Sequence, residues 1–297
     1  MRALKWLGYI VGGLVVLIVL AVGTVYAVTS SRMGKTHPLA VESIAIPADP
    51  ASIERGRHLV TAVGKCTECH GDNLAGKYAM DDAIFAKLTA SNLTAGKGGV
   101  GATYTDADWV RSIRYGVGRD GKSLLFMPSE SFTHFSDSDL GALIAYLKSV
   151  PPADMPVPHD RSIGPIARAI YLFAGFPLLP AELIDRGHKR NEVAPAVNVE
   201  YGHYLADVGG CTSCHLPTLG GGQNIDGVIT ANLTTGGPLK SWTEADFFKA
   251  IRTGTRPDGS KISEVMPWKA MGTLTDDEMR AMWMYIRSVQ PVTTAKK

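Results

Sequence analysis

Gly64-Lys-Cys-Thr-Glu-Cys-His70 and Gly210-Cys-Thr-Ser-Cys-His215 are the two stretches on which the reading turns. They hold all 4 cysteines of the 297-residue chain. In each, two thiols lie three positions apart and a histidine follows at once. On one turn of helix that spacing lets both thiols form thioether bonds to the vinyl groups of a haem, while the next imidazole faces the iron. Other uses of paired cysteines fit less well. A shared tetrahedral zinc site is disfavoured because the pairs lie far apart in sequence, well beyond zinc-ligand spacings. A thioredoxin-like pair lacks its strand–helix context. Plain disulfides leave both histidines unexplained.

Working outward, the flanking sequence repeats as well. Glu54-Arg-Gly-Arg-His-Leu-Val60 matches Glu200-Tyr-Gly-His-Tyr-Leu-Ala206, and Asn92-Leu-Thr94 matches Asn232-Leu-Thr234. Thr105–Gly116 matches Thr243–Gly254, Met127-Pro128 matches Met266-Pro267, and Ala145–Val150 matches Met284–Val289. The loop after the histidine is longer in the first copy. Each copy reads as helical. Thr105 and Thr243 are helix N-caps with acids in the first turn. Gly116 and Gly254 end those helices. Ser136-Asp-Ser-Asp139 and Thr275-Asp-Asp-Glu278 open a last helix by capping boxes. Strand-like alternation is scarce, so the expected class is all-α.

The repeats resemble class I cytochrome c domains: a first helix, the attachment motif, a downstream methionine, and a closing helix that crosses the first. The resemblance covers residues ~50–150 and ~197–290, nearly everything after the N-terminal segment. It implies two covalent haem c groups, on Cys66 and Cys69 and on Cys211 and Cys214. It implies that His70 and Met127 ligate the first iron, and His215 and Met266 the second. Met271, five residues beyond Met266, is the one rival there. The family's aromatic position in the closing helix falls on Tyr146 and Tyr285, against the first-helix glycines Gly56 and Gly202. None of the other histidines, including His58 and His203, recurs at an equivalent position. The Asn-Leu-Thr segments satisfy the glycosylation pattern, but their recurrence argues for a loop over the haem edge. Trp268 stands where the first copy has Ser129, as a haem-packing or core side chain.

Leu7 to Val28 is an uncharged apolar run, about 33 Å as a helix, long enough to cross a bilayer. Trp6 and Tyr26 flank it as interfacial anchors. A cleavable signal is the competing reading, with Val25-Tyr26-Ala27 as cleavage site, but the run exceeds the usual ~7–15 residues. Arg2 and Lys5 precede the run and account for the whole net charge of +2; charged residues are only 20% of the chain, which argues against disorder and nucleic-acid binding. The expected layout is an anchor at 1–30, a tether at 31–47, a first cytochrome c domain at 48–150, a connector at 151–195 and a second domain at 196–292. The connector is Pro-rich at both ends, and Ile166 to Phe176 reads as an apolar helix. It is too short to span a bilayer. It either packs between the two domains or forms a surface for membrane or partner.

The functional expectation is one-electron transfer by a relay or subunit of a membrane respiratory or dehydrogenase complex, not an enzyme. Its donor would be a dehydrogenase or quinol-oxidising complex, and its acceptor an oxidase or soluble cytochrome. The resemblance implies haem attachment on the outer, periplasmic face of the bacterial cytoplasmic membrane, with the N-terminus inside. The alternative is a dihaem redox enzyme, peroxidase-like or thiosulfate-oxidising, whose methionine ligand can be displaced.

Overall fold

Two glycines set how the main helices cross. A computed structural model describes residues 2–188 and 190–294; Met1, expected on the inner side, and Lys189, inside the expected connector, lie outside the described residues. Helix α2 (Pro50–His58) crosses α6 (Asp137–Ser149) at Gly56, and α8 (Val199–Val208) crosses α12 (Asp276–Ser288) at Gly202. A Cβ on Gly56 would lie 2.0 Å from the Ala142 carbonyl oxygen, and one on Gly202 would lie 2.0 Å from that of Ala281. Tyr146 and Tyr285 occupy the same crossings, their Cβ atoms 2.9 Å from the same added carbons. Only glycine admits this approach.

The local signals behave as read. Thr105 caps α4 (Asp106–Tyr115) and Thr243 caps α10 (Glu244–Thr253), each in a complete capping box. Gly116 and Gly254 close them in the left-handed conformation, at φ 61° and 62°. At α6 the box is half made. Ser136 accepts from the Asp139 amide, but the Asp139 carboxylate turns away to Arg55. The first helix does not run evenly to residue 63: Leu59–Val63 widens into one π turn.

The two sets of helices meet around an approximate two-fold axis. Leu59, Val60 and Phe135 of the first share one buried cluster with Tyr201, Leu205 and Met279 of the second. At the axis, Arg55 donates to Asp139 (3.0 and 2.8 Å), to Glu278 (3.1 Å) and to the Tyr201 hydroxyl (3.0 Å). His58 meets Glu278 at 2.7 Å, and the Tyr204 hydroxyl donates to Asp139 at 2.7 Å. Arg55 and Tyr201, His58 and Tyr204, and Asp139 and Glu278 are equivalent pairs in the repeat. The contact therefore has the self-complementary logic of a two-fold dimer.

Two expectations need correction. The described residues are mainly helical but not purely so. β1 (Lys77–Asp82), β2 (Ala86–Ala90) and β3 (Arg161–Ile163) form an antiparallel sheet in the order β1-β2-β3, and Asn224–Ile225 pairs with Val228–Ile229. β1 and β2 lie in the loop that is longer in the first copy, and β3 comes from the connector. The connector helix α7 (Pro165–Ala174) does not pack between the two sets of helices. It lies on the end of α1 (Arg2–Gly34) and over a separate cluster containing Leu88, Ile163 and Leu178. Nearly all of the apolar length of α1 is exposed.

Candidate functional site

The Cys-x-x-Cys-His stretches fold as short helices, α3 (Cys66–His70) and α9 (Cys211–His215). Each is entered through a left-handed residue, Lys65 at φ 54° and Gly210 at φ 71°. The two histidines are held alike. Nδ1 of His70 lies 2.7 Å from the Ser91 carbonyl oxygen, and Nδ1 of His215 lies 2.7 Å from that of Ala231. A carbonyl only accepts, so each Nδ1 carries the proton and each Nε2 keeps its lone pair. Burial pushes both imidazoles below the usual histidine range, which keeps them neutral and able to ligate.

Cys66, Cys69, His70 and Met127 all line one cavity of about 500 Å³. Leu93, Val100, Ile113, Phe135 and Leu143 complete an apolar wall. Its size suits one large cofactor. The wall also holds an unspent donor: the Trp109 Nε1 is buried without a hydrogen-bond partner. Arg119, His159 and Arg161 line the same cavity. A flat apolar macrocycle carrying carboxylates matches this lining, so the residues present fit a haem. Burial raises all four thiols, Cys66 to about 12, the opposite of a reactive thiolate. Among the described residues no three His, Cys, Asp or Glu side chains gather as a metal cluster.

Met127 and Met266 sit in matching Met-Pro turns. Pro128 has φ −79° and ψ 52°, and Pro267 has φ −76° and ψ 52°. Each methionine carbonyl accepts from the residue two positions on, at 2.8 and 2.7 Å. Met271 ends the short helix that follows, outside this turn. Trp268 packs on the C-cap Gly254, where an added Cβ would come within 2.6 Å of its ring. Its Nε1 is buried without a partner.

The Asn-Leu-Thr segments tie down the chain that follows each closing helix. Asn92 and Asn232 are buried, which rules them out as glycosylation acceptors. The Asn92 amide donates to the Ala153 carbonyl and the Asn232 amide to that of Val292, both at 2.7 Å. They clasp the chain as it leaves each closing helix, and between them Leu93 lines the cavity. Among the other histidines, His58 pairs with Glu278, His203 stacks on Tyr285, and His134 touches His188 edge-on. His159, in the connector, reaches the cavity together with Arg161. Sequence reasoning missed Trp109, Arg119 and Arg161; only Trp109 left a signal, an aromatic matched by Phe247 in the other copy.

The two motifs lie side by side. The Lys65 ammonium donates to the Val63 carbonyl at 2.9 Å and to the Gly209 carbonyl at 2.8 Å, bridging the entries to α3 and α9. The Ser131 and Ser213 hydroxyls meet at 3.3 Å nearby.

Residues 51–147 match the family model described as cytochrome C oxidase, cbb3-type, subunit III. The chain is 31% identical over 268 residues to one of the subunits of the nicotinate dehydrogenase of Pseudomonas putida, covering 81% of this chain and 21% of that protein. It is 29% identical over 150 residues to the cytochrome c subunit of a quinone alcohol dehydrogenase of Gluconobacter oxydans, covering 47% of this chain and 31% of that one. It is 26% identical over 272 residues to a diheme cytochrome c-type protein of Cereibacter sphaeroides, covering 80% of this chain and 86% of the relative. The chain thus spans well under half of the two dehydrogenase subunits.

Proposed function

We propose that the chain, whose residues 51–147 match a cytochrome family model, carries electrons through two covalently held c-type haems, with residues 48–150 and 196–292 as tandem domains of one duplicated fold. Cys66 and Cys69 would hold the first haem, with His70 and Met127 as the residues to ligate its iron, and Cys211 and Cys214 would hold the second, with His215 and Met266. The observation that carries this reading is the identical posture of the two histidines, Nδ1 spent on a carbonyl at 2.7 Å and Nε2 left for iron. A haem iron between an imidazole and a thioether exchanges single electrons, and the soft sulfur favours the ferrous state.

The protein's own residues supply the rest. Ser91 and Ala231 fix the tautomer and ring orientation of the histidines. The apolar wall of Leu93, Ile113, Phe135 and Leu143 keeps water from the first site. Arg119 and Arg161 offer charge to the propionates, and Trp109 a donor. The Lys65 bridge pins the two attachment helices together, which would hold two such haems close to one another. α1 serves as a single-pass anchor, with its N-terminus inside and the haem domains on the periplasmic face. The relatives named as dehydrogenase subunits support a dehydrogenase or quinol-oxidising complex as donor. An oxidase or soluble cytochrome is the acceptor.

The test is the haem content and optical spectrum of the detergent-purified chain, oxidised, reduced, and reduced with carbon monoxide. Two haems per chain, a ferric iron–methionine band and no carbon monoxide shift are expected. One haem per chain would overturn the duplicated site. A carbon monoxide shift would mean a displaceable methionine, and would move the reading to a dihaem redox enzyme.

A further inference from the structure

Helix α7 bears one charge, Arg168, and buries it. The Arg168 guanidinium donates to the Ile163 carbonyl at 3.0 Å, to the Thr29 hydroxyl and to the Ser30 hydroxyl at 3.1 Å, and lies 4.4 Å over the Tyr26 ring. One turn on, the Tyr171 hydroxyl donates to Glu182. The same carboxylate takes Arg32 at 2.6 Å, and the Arg32 guanidinium lies 4.6 Å over the Tyr171 ring. α7 is therefore locked to the last two turns of α1.

The opposite face of α7 is apolar and open. Ile166, Ile170 and Phe173 are 47%, 36% and 78% exposed, on one stripe at i, i+4 and i+7. Ile84, 59% exposed, extends the stripe beyond the start of the helix, where the Ile166 amide donates to its carbonyl. The apolar run of α1 ends at Val28, before Thr29, Ser30 and Ser31, so Tyr26 marks the boundary between hydrocarbon and water. A helix whose buried arginine rests on Tyr26 sits at that depth.

We propose that Ile84, Ile166, Ile170 and Phe173 lie in the interfacial layer of the bilayer that takes α1, giving the protein a second, monotopic membrane contact. The occupant is lipid: the patch lacks charge, and the helix that carries it is locked to the end of the span, at the height of the headgroups. The consequence reaches the first site. Leu88, Leu125 and Phe126 pack against the cluster beneath α7 and also line the haem cavity. Phe126 stacks on Phe176, just past the helix, at 5.3 Å. Seating α7 in the interface sets that edge of the cavity facing the membrane surface, where a membrane-bound redox partner can approach.

The proposal rests on α1 being a retained anchor, and the experiment separates the two. The full, haem-loaded chain is reconstituted in vesicles of phosphatidylethanolamine and phosphatidylglycerol, with one nitroxide label on Phe173→Cys, Ile166→Cys, Leu14→Cys or Ile229→Cys. Each label is read by its relative accessibility to oxygen and to a water-soluble nickel chelate. A lipid-like ratio at positions 14, 166 and 173, several-fold above that at the exposed Ile229 of the second half, is expected. Position 14 lipid-like with 166 and 173 matching 229 would overturn the proposal and leave the anchor standing. Position 14 water-like would overturn both. Low access to both reagents at 166 and 173 would mean that protein covers the patch, and would overturn the lipid assignment.

Discussion

Replacing Arg55 with methionine removes the cation shared by both halves of the molecule. In the wild type its guanidinium grips Asp139 with two bonds and Glu278 with a third, and both carboxylates are buried. Met keeps the aliphatic stem and the volume but leaves the two acids facing each other, with only His58 and the tyrosine hydroxyls for company. Removing one partner of a buried ion pair costs about 3–5 kcal/mol. Glu278 shows what the whole cluster contributes, of which Arg55 is one part. Burial alone would push its carboxyl up, but His58, the Thr275 amide and Arg55 outweigh that and hold it at about 2, against an ordinary value of 4.5. Such a depression corresponds to about 3 kcal/mol of stability. A carboxyl depressed in the folded state stabilises at pH above its unfolded value and loses that contribution as pH falls through the folded one. The wild type therefore loses stability between about pH 5 and pH 2. Arg55→Met has less to lose, so the gap between the two proteins is widest near pH 7 and closes on acidification. Guanidinium unfolding of the detergent-solubilised chain, followed by near-ultraviolet dichroism at several pH values, measures it. The variant's midpoint falls while the slope stays constant. Coincident midpoints at pH 7, or a gap that stays constant down to pH 3, would refute the reasoning.

Gly202→Ala forces a Cβ to within 2.0 Å of the Ala281 carbonyl oxygen; a loss of about 1–3 kcal/mol or more in unfolding free energy is expected from the separated helices. Thr243→Ala removes a complete capping box at an exposed helix start and costs about 1 kcal/mol, read as a small drop in midpoint. Met127→His and Met266→His each exchange thioether for imidazole; each lowers one of two potentials in a spectroelectrochemical titration and leaves the other nearly in place. A variant that lowers neither potential names the wrong methionine.

The short helices of the two Cys-x-x-Cys-His stretches and the starts of the capped helices were legible in the sequence because each rests on residues within one turn of one another. Thr105, Gly116, Thr243 and Gly254 fold as their neighbours dictate. The repeat added a long-range inference, since matching Gly56 with Gly202 and Tyr146 with Tyr285 implies matching helix crossings. What tertiary structure alone decided involves residues remote in the chain. Arg55 and Glu278 are 223 positions apart and carry no mutual signal, and neither does the pairing of His58 with Glu278. β3 joins β2 only because the connector folds back over the first half, and a three-residue strand has too little alternation to be recognised beforehand. The connector helix displayed an apolar face in the sequence, but which surface it met depended on Arg168 reaching Thr29 and Tyr26. Local hydrogen bonds are determined by sequence neighbours; the placement of a polar group against another element depends on where the whole chain has already closed.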